Sequence, residues 1–243
     1  MVGKLLVRGM LAGIAAGLIT FSFANIAGEP QVDQAISFEE KADAAKGEAP
    51  ESEIVSRRTQ AGLGLVTGVT VYGAAIGGLF SLIFAYAYGR VGKISPRALS
   101  GLLALAAFVS VVVVPDIKYP ANPPSVGDQE TIGIRTGLFF LMVTISIVAT
   151  VFSLKVRRSL VGRFGLWNAS SIGGAIFVVI ITLVQLSLPT INEVPSAFPA
   201  VLLWKFRIAA LGMQVIMWTT IGLLFGGLVE RGVRTGSLRY AKR

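Results

Sequence analysis

Six stretches of this chain contain no charged residue: Arg8 to Glu29, Arg58 to Arg90, Arg97 to Asp116, Arg135 to Lys155, Arg163 to Glu193, and Arg207 to Glu230. Each is close to or longer than the ~20 apolar residues that carry a helix across hydrocarbon. Backbone in hydrocarbon must satisfy its own hydrogen bonds, which leaves helices or closed barrels. The runs lack the strict alternation of a barrel strand, and glycine recurs inside them, so helices are expected. At 14% charged and 53% hydrophobic, the chain falls well below the ~25% charge of soluble domains. Spans are expected at 5–27, 62–88, 98–117, 136–154, 166–188 and 206–229. The reading is an all-α membrane protein, a bundle of six transmembrane helices forming a single polytopic domain over 1–243.

Charge placement sets the orientation. Fourteen of the 22 basic residues lie at the termini and in alternate loops: Lys4, Arg8; Arg90, Lys93, Arg97; Lys155, Arg157, Arg158, Arg163; Arg231, Arg234, Arg239, Lys242 and Arg243. Glu230 is the only acid among them. The positive-inside rule therefore puts both N- and C-termini in the cytoplasm, a parity that six spans satisfy and five do not. The same placement accounts for the net charge of +9 without nucleic acid. The first span resembles a signal peptide in length, but Gly9, Gly13 and Gly17 give it a packing face that a discarded segment does not need. Similar stripes occur at Gly64/Gly68, Gly73/Gly77 and Gly222/Gly226. They read as helix packing or, more rarely, as a carbonyl-lined pathway.

Three loops then face outward. The first, 28–60, holds Glu29, Asp33, Glu39, Glu40, Asp43, Glu48, Glu51 and Glu53. Pro30 is expected to break the first helix. Asp33 to Ala45 reads as a helix whose Ala35, Ile36 and Phe38 edge lies on the membrane surface, and Gly47 to Glu53 as a flexible link. The second, within 116–135, contains Lys118, Tyr119, Pro120, Ala121, Asn122, Pro123, Pro124 and Asp128. Its prolines remove backbone donors and fix φ, so the loop is stiff. The third runs from Pro189 to Lys205.

Much chemistry is excluded. The chain has no cysteine and no histidine, so disulfides, Cys/His zinc sites and histidine acid–base catalysis are absent. There is no Gly-rich phosphate loop, and the uncharged spans offer no proton carrier. An enzyme is not expected, nor a permanently bound cofactor. What remains is oxygen. Glu29, Asp33, Glu39, Asn122 and Asp128 are candidate contacts for a hydrated divalent cation at a shared outer mouth; the same acids can also simply raise the local cation concentration. Arg58, Arg135 and Arg207 stand at the outer starts of the even-numbered spans and are expected to fix the loops by pairing with those acids. Gln214 offers an intramembrane polar contact between Met213 and Met217, whose thioethers either pack or touch a soft metal. Asn25, Asn168 and Gln185 are placed for interhelical hydrogen bonds.

Taken together, these motifs resemble the CbtA family of cobalt transporter subunits over nearly the whole chain. The carriers are Gly28-Glu29-Pro30 with Ala35, Phe38 and Glu39; Ser56-Arg57-Arg58 with Gln60; and Lys118-Tyr119-Pro120-Ala121-Asn122-Pro123-Pro124 with Val126-Gly127-Asp128. Thr131-Ile132-Gly133, Arg135-Thr136, Leu203-Trp204, Phe206-Arg207, Gln214, Trp218 and Gly222 complete the set. The resemblance implies a multi-pass protein of the prokaryotic inner membrane that imports Co²⁺, its substrate, for cobalamin synthesis. It also implies a small single-span, histidine-bearing partner, CbtB. The family is described with about five spans, and the charge parity here argues for six. A non-transporting membrane scaffold and an organic-solute permease remain alternative readings, and homo-oligomerisation is left open.

Overall fold

The computed structural model describes residues 2–47, 54–92 and 94–236. Glu48, Glu51, Glu53, Lys93, Arg239, Lys242 and Arg243, which entered the charge and linker arguments, lie outside them. Regular structure among the described residues is helical throughout. In order come α1 (Val2–Phe23), α2 (Glu29–Lys46), α3 (Arg57–Thr59), α4 (Leu65–Ala87), α5 (Pro96–Ala107), α6 (Val114–Lys118), α7 (Ile132–Ser187) and α8 (Ala200–Arg234). π-Helical turns at Ala24–Gly28, Gln60–Gly64 and Phe108–Val113 join α1 to α2, α3 to α4 and α5 to α6. Among the described residues, five helices are long and apolar enough to cross a membrane: Val2–Lys46, Arg57–Ala87, Pro96–Lys118, Ile132–Ser187 and Ala200–Arg234.

Three local expectations are corrected. Pro30 does not break the first helix, which continues to Lys46. Its missing N–H falls at the start of α2, directly after the π-helical turn, where a proline is tolerated. The acidic segment is therefore an extension of the first span, and its apolar edge packs on protein. Ala35 is fully buried, and the Phe38 ring meets Phe198 edge-on at 5.0 Å. The basic stretch from Lys155 to Arg163 is likewise helical. It contains no proline, and the departure from helical geometry inside α7 falls at Gly165, with φ 74° and ψ 169°.

The chain folds as two compact units. The first comprises Met1–Leu105, Pro123–Ser125 and Phe198–Arg243. Its centre is a seam of glycines where α1 meets α4 with no side chain between them. A Cβ built on Gly9 would collide with the Gly77 carbonyl, one on Gly13 with the Gly73 carbonyl, and one on Gly17 would sit 2.7 Å from the Thr70 Cα. Small residues at helical spacing let backbones approach this closely. The other side of α1 packs on α8. There Gly222 and Gly226 admit Ala104 and Ser100 of α5, and Ser100 Oγ donates to the Gly222 carbonyl at 2.7 Å. Phe80 and Phe84 stand edge-on to Phe225, at 5.5 and 5.1 Å, and Arg97 pairs with Glu230.

The second unit comprises Ala106–Asn122 and Val126–Ala197. Here α7 folds back on itself at Gly165. Arg157 Nε donates to Ser170 Oγ at 2.9 Å, and a Cβ on Gly173 would lie 3.1 Å from the Ser153 carbonyl. In a straight helix residues 153 and 173 would stand ~30 Å apart. Met142 and Ala149 before the turn pack with Ile181 after it and with Val114. Gln185 Nε2 donates to the Val114 carbonyl at 3.1 Å.

Candidate functional site

The polar chemistry of the first unit gathers on α2. Glu29 and Asp33 are four residues apart and so share one helix face. Arg57 opens α3, whose first turn is capped by Ser56: its hydroxyl accepts from the Thr59 amide at 3.4 Å. That cap aims the Arg57 guanidinium at both acids, Nη2 pairing with Glu29 and Nε donating to Asp33 Oδ1 at 2.9 Å. Glu29 is mostly shielded at 14% side-chain exposure, whereas Asp33 is 60% exposed. The residue expected to close on these acids was Arg58. It is exposed, and its neighbour takes the role because the cap directs Arg57 back along α2. Beside the pair lies a cleft of about 460 Å³ lined by Asp33, Phe38, Lys41, Leu202 and Lys205 among others. Two ammonium groups and one carboxylate leave the lining net positive, which disfavours a dication inside the cleft itself. Glu39 is exposed on the same helix.

The proline-rich loop is anchored within the second unit by partners outside the motif. Tyr119 Oη donates to the Pro189 carbonyl at 2.9 Å, and Lys118 Nζ to Thr190 Oγ1 at 3.3 Å. Desolvation raises the Tyr119 pKa, which keeps its hydroxyl a donor. The centre of the arrangement is Glu193. Its carboxylate accepts from the Asp128 amide at 2.9 Å and from Thr131 Oγ1 at 2.5 Å, and it pairs with Arg135 Nε at 3.3 Å. These bonds hold the Glu193 pKa below the usual carboxylate value, the Thr131 hydroxyl first and the Asp128 amide next. Arg135 also donates to the Asp128 carbonyl at 3.3 Å. It lies so close to Gly127 (φ 132°) that a Cβ there would stand 2.8 Å from Nη2. The Asp128 carboxylate turns inward on its own loop and accepts from the Glu130 amide at 2.9 Å. Pro120 and Asn122 are half-buried in this unit. Pro123, Pro124 and Ser125 belong to the first unit, where Pro123 is buried and Ser125 Oγ donates to the Ala35 carbonyl at 3.3 Å.

Of the residues proposed to meet a cation, Glu29 and Asp33 are thus joined through Arg57, while Asn122 and Asp128 sit in the other unit. Arg135 pairs with Glu193, which was not among the acids expected to hold it. Arg207 is half-buried on α8. Sequence reasoning missed Arg57 and Glu193. The second was detectable as the lone acid of the Pro189–Lys205 loop on the same side as the out-of-place Arg135. Of the polar amides, Gln185 makes its interhelical bond, while Asn25 and Asn168 are exposed. Among the described residues, no group of three or more Asp or Glu side chains converges as a metal cage.

The motif loop and its anchors account for the most distinctive residues of the chain, and the comparison with known families bears on the whole of it. Residues 2–230 match the family described as "Probable cobalt transporter subunit (CbtA)". The chain belongs to the CbtA family. The match reaches into both units and into each of the five long apolar helices, the last of them as far as residue 230. In this CbtA-family protein the capped Arg57 pair and the Glu193 clamp both fall inside the matched region. No curated protein and no solved structure matches the chain.

Proposed function

We propose that this multi-pass membrane protein is the membrane-spanning subunit of a Co²⁺ importer in the prokaryotic inner membrane, serving cobalamin synthesis. The observation that carries the reading is the family match over residues 2–230. Six crossings with both termini cytoplasmic are part of the proposal, the turn at Gly165 dividing α7 into two of them. The loop charges support it: all the acids but Glu230 collect on one side, and fourteen of the 22 bases on the other. Outside, Asp33, Glu39, Asn122 and Asp128 draw the cation in, and Glu29 chiefly braces α2 through Arg57. A chain without histidine or cysteine leaves soft-ligand capture to a small histidine-bearing partner protein. Glu193 and Arg135 keep the motif loop in place for either task.

Two experiments test this. The chain contains no cysteine, so single cysteines placed at Ser125 and Ser159 report topology directly. Labelling by a membrane-impermeant maleimide from outside is expected at the first and not at the second. Purified protein in proteoliposomes is expected to take up radiolabelled Co²⁺ saturably, with Ni²⁺ competing more strongly than Mg²⁺ and with Asp33→Asn and Asp128→Asn slowing uptake. No uptake, alone or with a histidine-bearing partner, would refute transport and leave a scaffold.

A further inference from the structure

The glycine seam of the first unit stops at Gly17 and Thr70, and beyond it the same helices part. They leave a cleft of about 240 Å³ lined by Thr20 of α1, Gly68, Val69 and Tyr72 of α4, and Met213, Gln214 and Met217 of α8. Every lining residue lies inside a charge-free stretch. Thr20 is nine residues from Glu29 and Gln214 seven from Arg207, so the cleft sits ~10–14 Å inside the apolar helices.

Its polar atoms are incompletely used. Thr20 is 1% exposed and its Oγ1 has no hydrogen-bond partner; the Gln214 Oε1 is also buried and unpartnered. The Gln214 side chain is bonded to the Tyr72 hydroxyl. With Oε1 unpartnered, that bond must use the amide nitrogen, which leaves the carbonyl oxygen available. Thr70 Oγ1 and Trp218 Nε1, on the same helices, are unpartnered as well. Buried polar groups in native proteins are almost always satisfied, so orphans grouped at a cleft ask for an occupant. The free acceptors are neutral oxygens, and two thioethers stand beside them.

We propose that this cleft is an intramembrane site for a partly dehydrated divalent transition-metal cation, Co²⁺ being the probe. It deepens the transport reading and rests on it for the route by which the ion arrives. Gln214 Oε1 and Thr20 Oγ1 supply dipolar oxygens, as carbonyls do in cation filters. Met213 and Met217 supply polarisable sulfur, which a borderline first-row ion accepts and Mg²⁺ does not. A bare dication would not leave water for neutral ligands, and the cleft has room for the ion with several of its waters. The site holds no acid that would trap the ion, so binding stays weak enough for release.

The test uses the purified full chain in lipid nanodiscs, titrated with Co²⁺ and examined by cobalt-edge X-ray absorption. Wild type is expected to show sulfur in the cobalt shell, undisturbed by excess Mg²⁺. Met213→Leu with Met217→Leu is expected to remove the sulfur signal. Thr20→Val and Gln214→Leu are each expected to weaken Co²⁺ binding about tenfold or more. The melting temperature should hold or rise for Thr20→Val, which removes an orphaned buried oxygen, and fall for Gln214→Leu, which also takes the partner of the Tyr72 hydroxyl. An oxygen-only cobalt shell, indifferent to all these variants, would overturn the site even if proteoliposomes accumulate cobalt. A sulfur-bearing shell in protein that accumulates none would keep the site and refute the transport reading.

Discussion

The glycine seam is built from α1 and α4 and the cleft from the same two helices with α8, and the difference between them is one of side chains. At Gly9/Gly77 and Gly13/Gly73 two backbones meet, with no room for a Cβ on either helix. Where α8 joins them, Thr20, Tyr72 and Gln214 line open space, and Gly68 has nothing within 4 Å of where its Cβ would be. A Gly-x-x-x-Gly spacing thus marks close packing where the opposite helix presents glycine or a small side chain, as Gly73 and Gly77 do to α1 and Ala104 and Ser100 do to α8. Where one helix is smooth and its neighbours carry polar groups, the same spacing opens a cleft.

That contrast can be broken by substitution. Gly13→Val should have the largest effect, because its Cβ meets the Gly73 backbone and nothing there can rotate away. A loss of ~3 kcal/mol or more is expected in thermal unfolding of the detergent-solubilised protein. Gly222→Val should cost less, ~1–3 kcal/mol, since it meets the Ala104 side chain at 2.7 Å and α5 can shift. Gly68→Ala, on the open side, should stay within ~0.5 kcal/mol of wild type. If Gly13→Val and Gly68→Ala melt alike, the seam is not what holds α1 to α4.

Acid provides the mildest test. Neither seam nor cleft contains a carboxylate, so mild acid should leave both unchanged, whereas the motif loop depends on Glu193. That group's folded pKa lies below its ordinary 4.5. Its contribution is therefore complete above the ordinary value and lost as pH falls through the folded one. Hydrogen exchange at the Asp128 amide should stay slow at pH 6 and pH 5 by ordinary pH-corrected rates, and quicken only in stronger acid. Glu193→Gln should exchange quickly at every pH. A wild-type amide already fast at pH 6 would remove Glu193 from its place at the centre of the loop.

The fold was legible where hydrophobicity alone decides it. Each charge-free run became helix, and Gly9, Gly13 and Gly17 announced a packing face. Helix limits were less so. Pro30 looks like a breaker but is harmless at the start of α2 after a π-helical turn, and a single glycine, Gly165, turns α7 where a loop was expected. At the candidate site, residue types were readable and partners were not. Arg57 and Arg58 are chemically identical, and only the Ser56 cap distinguishes which of them turns toward Glu29 and Asp33. Gln214 between two methionines stood out as a polar contact inside a span, but the cleft beside it did not. That it opens rather than packs depends on where the seam ends, which is a property of three helices at once.

The most direct measurement is Co²⁺ accumulation by proteoliposomes carrying wild type, Gln214→Leu or Thr20→Val, each with its melting temperature recorded and each with and without the histidine-bearing partner. A cation pathway through the first unit predicts saturable uptake by wild type under at least one of these conditions. It also predicts uptake reduced about tenfold or more in both variants, Thr20→Val among them melting at or above the wild-type temperature. Equal uptake by all three proteins would contradict a route through the cleft, and no uptake by any of them would contradict transport by this chain.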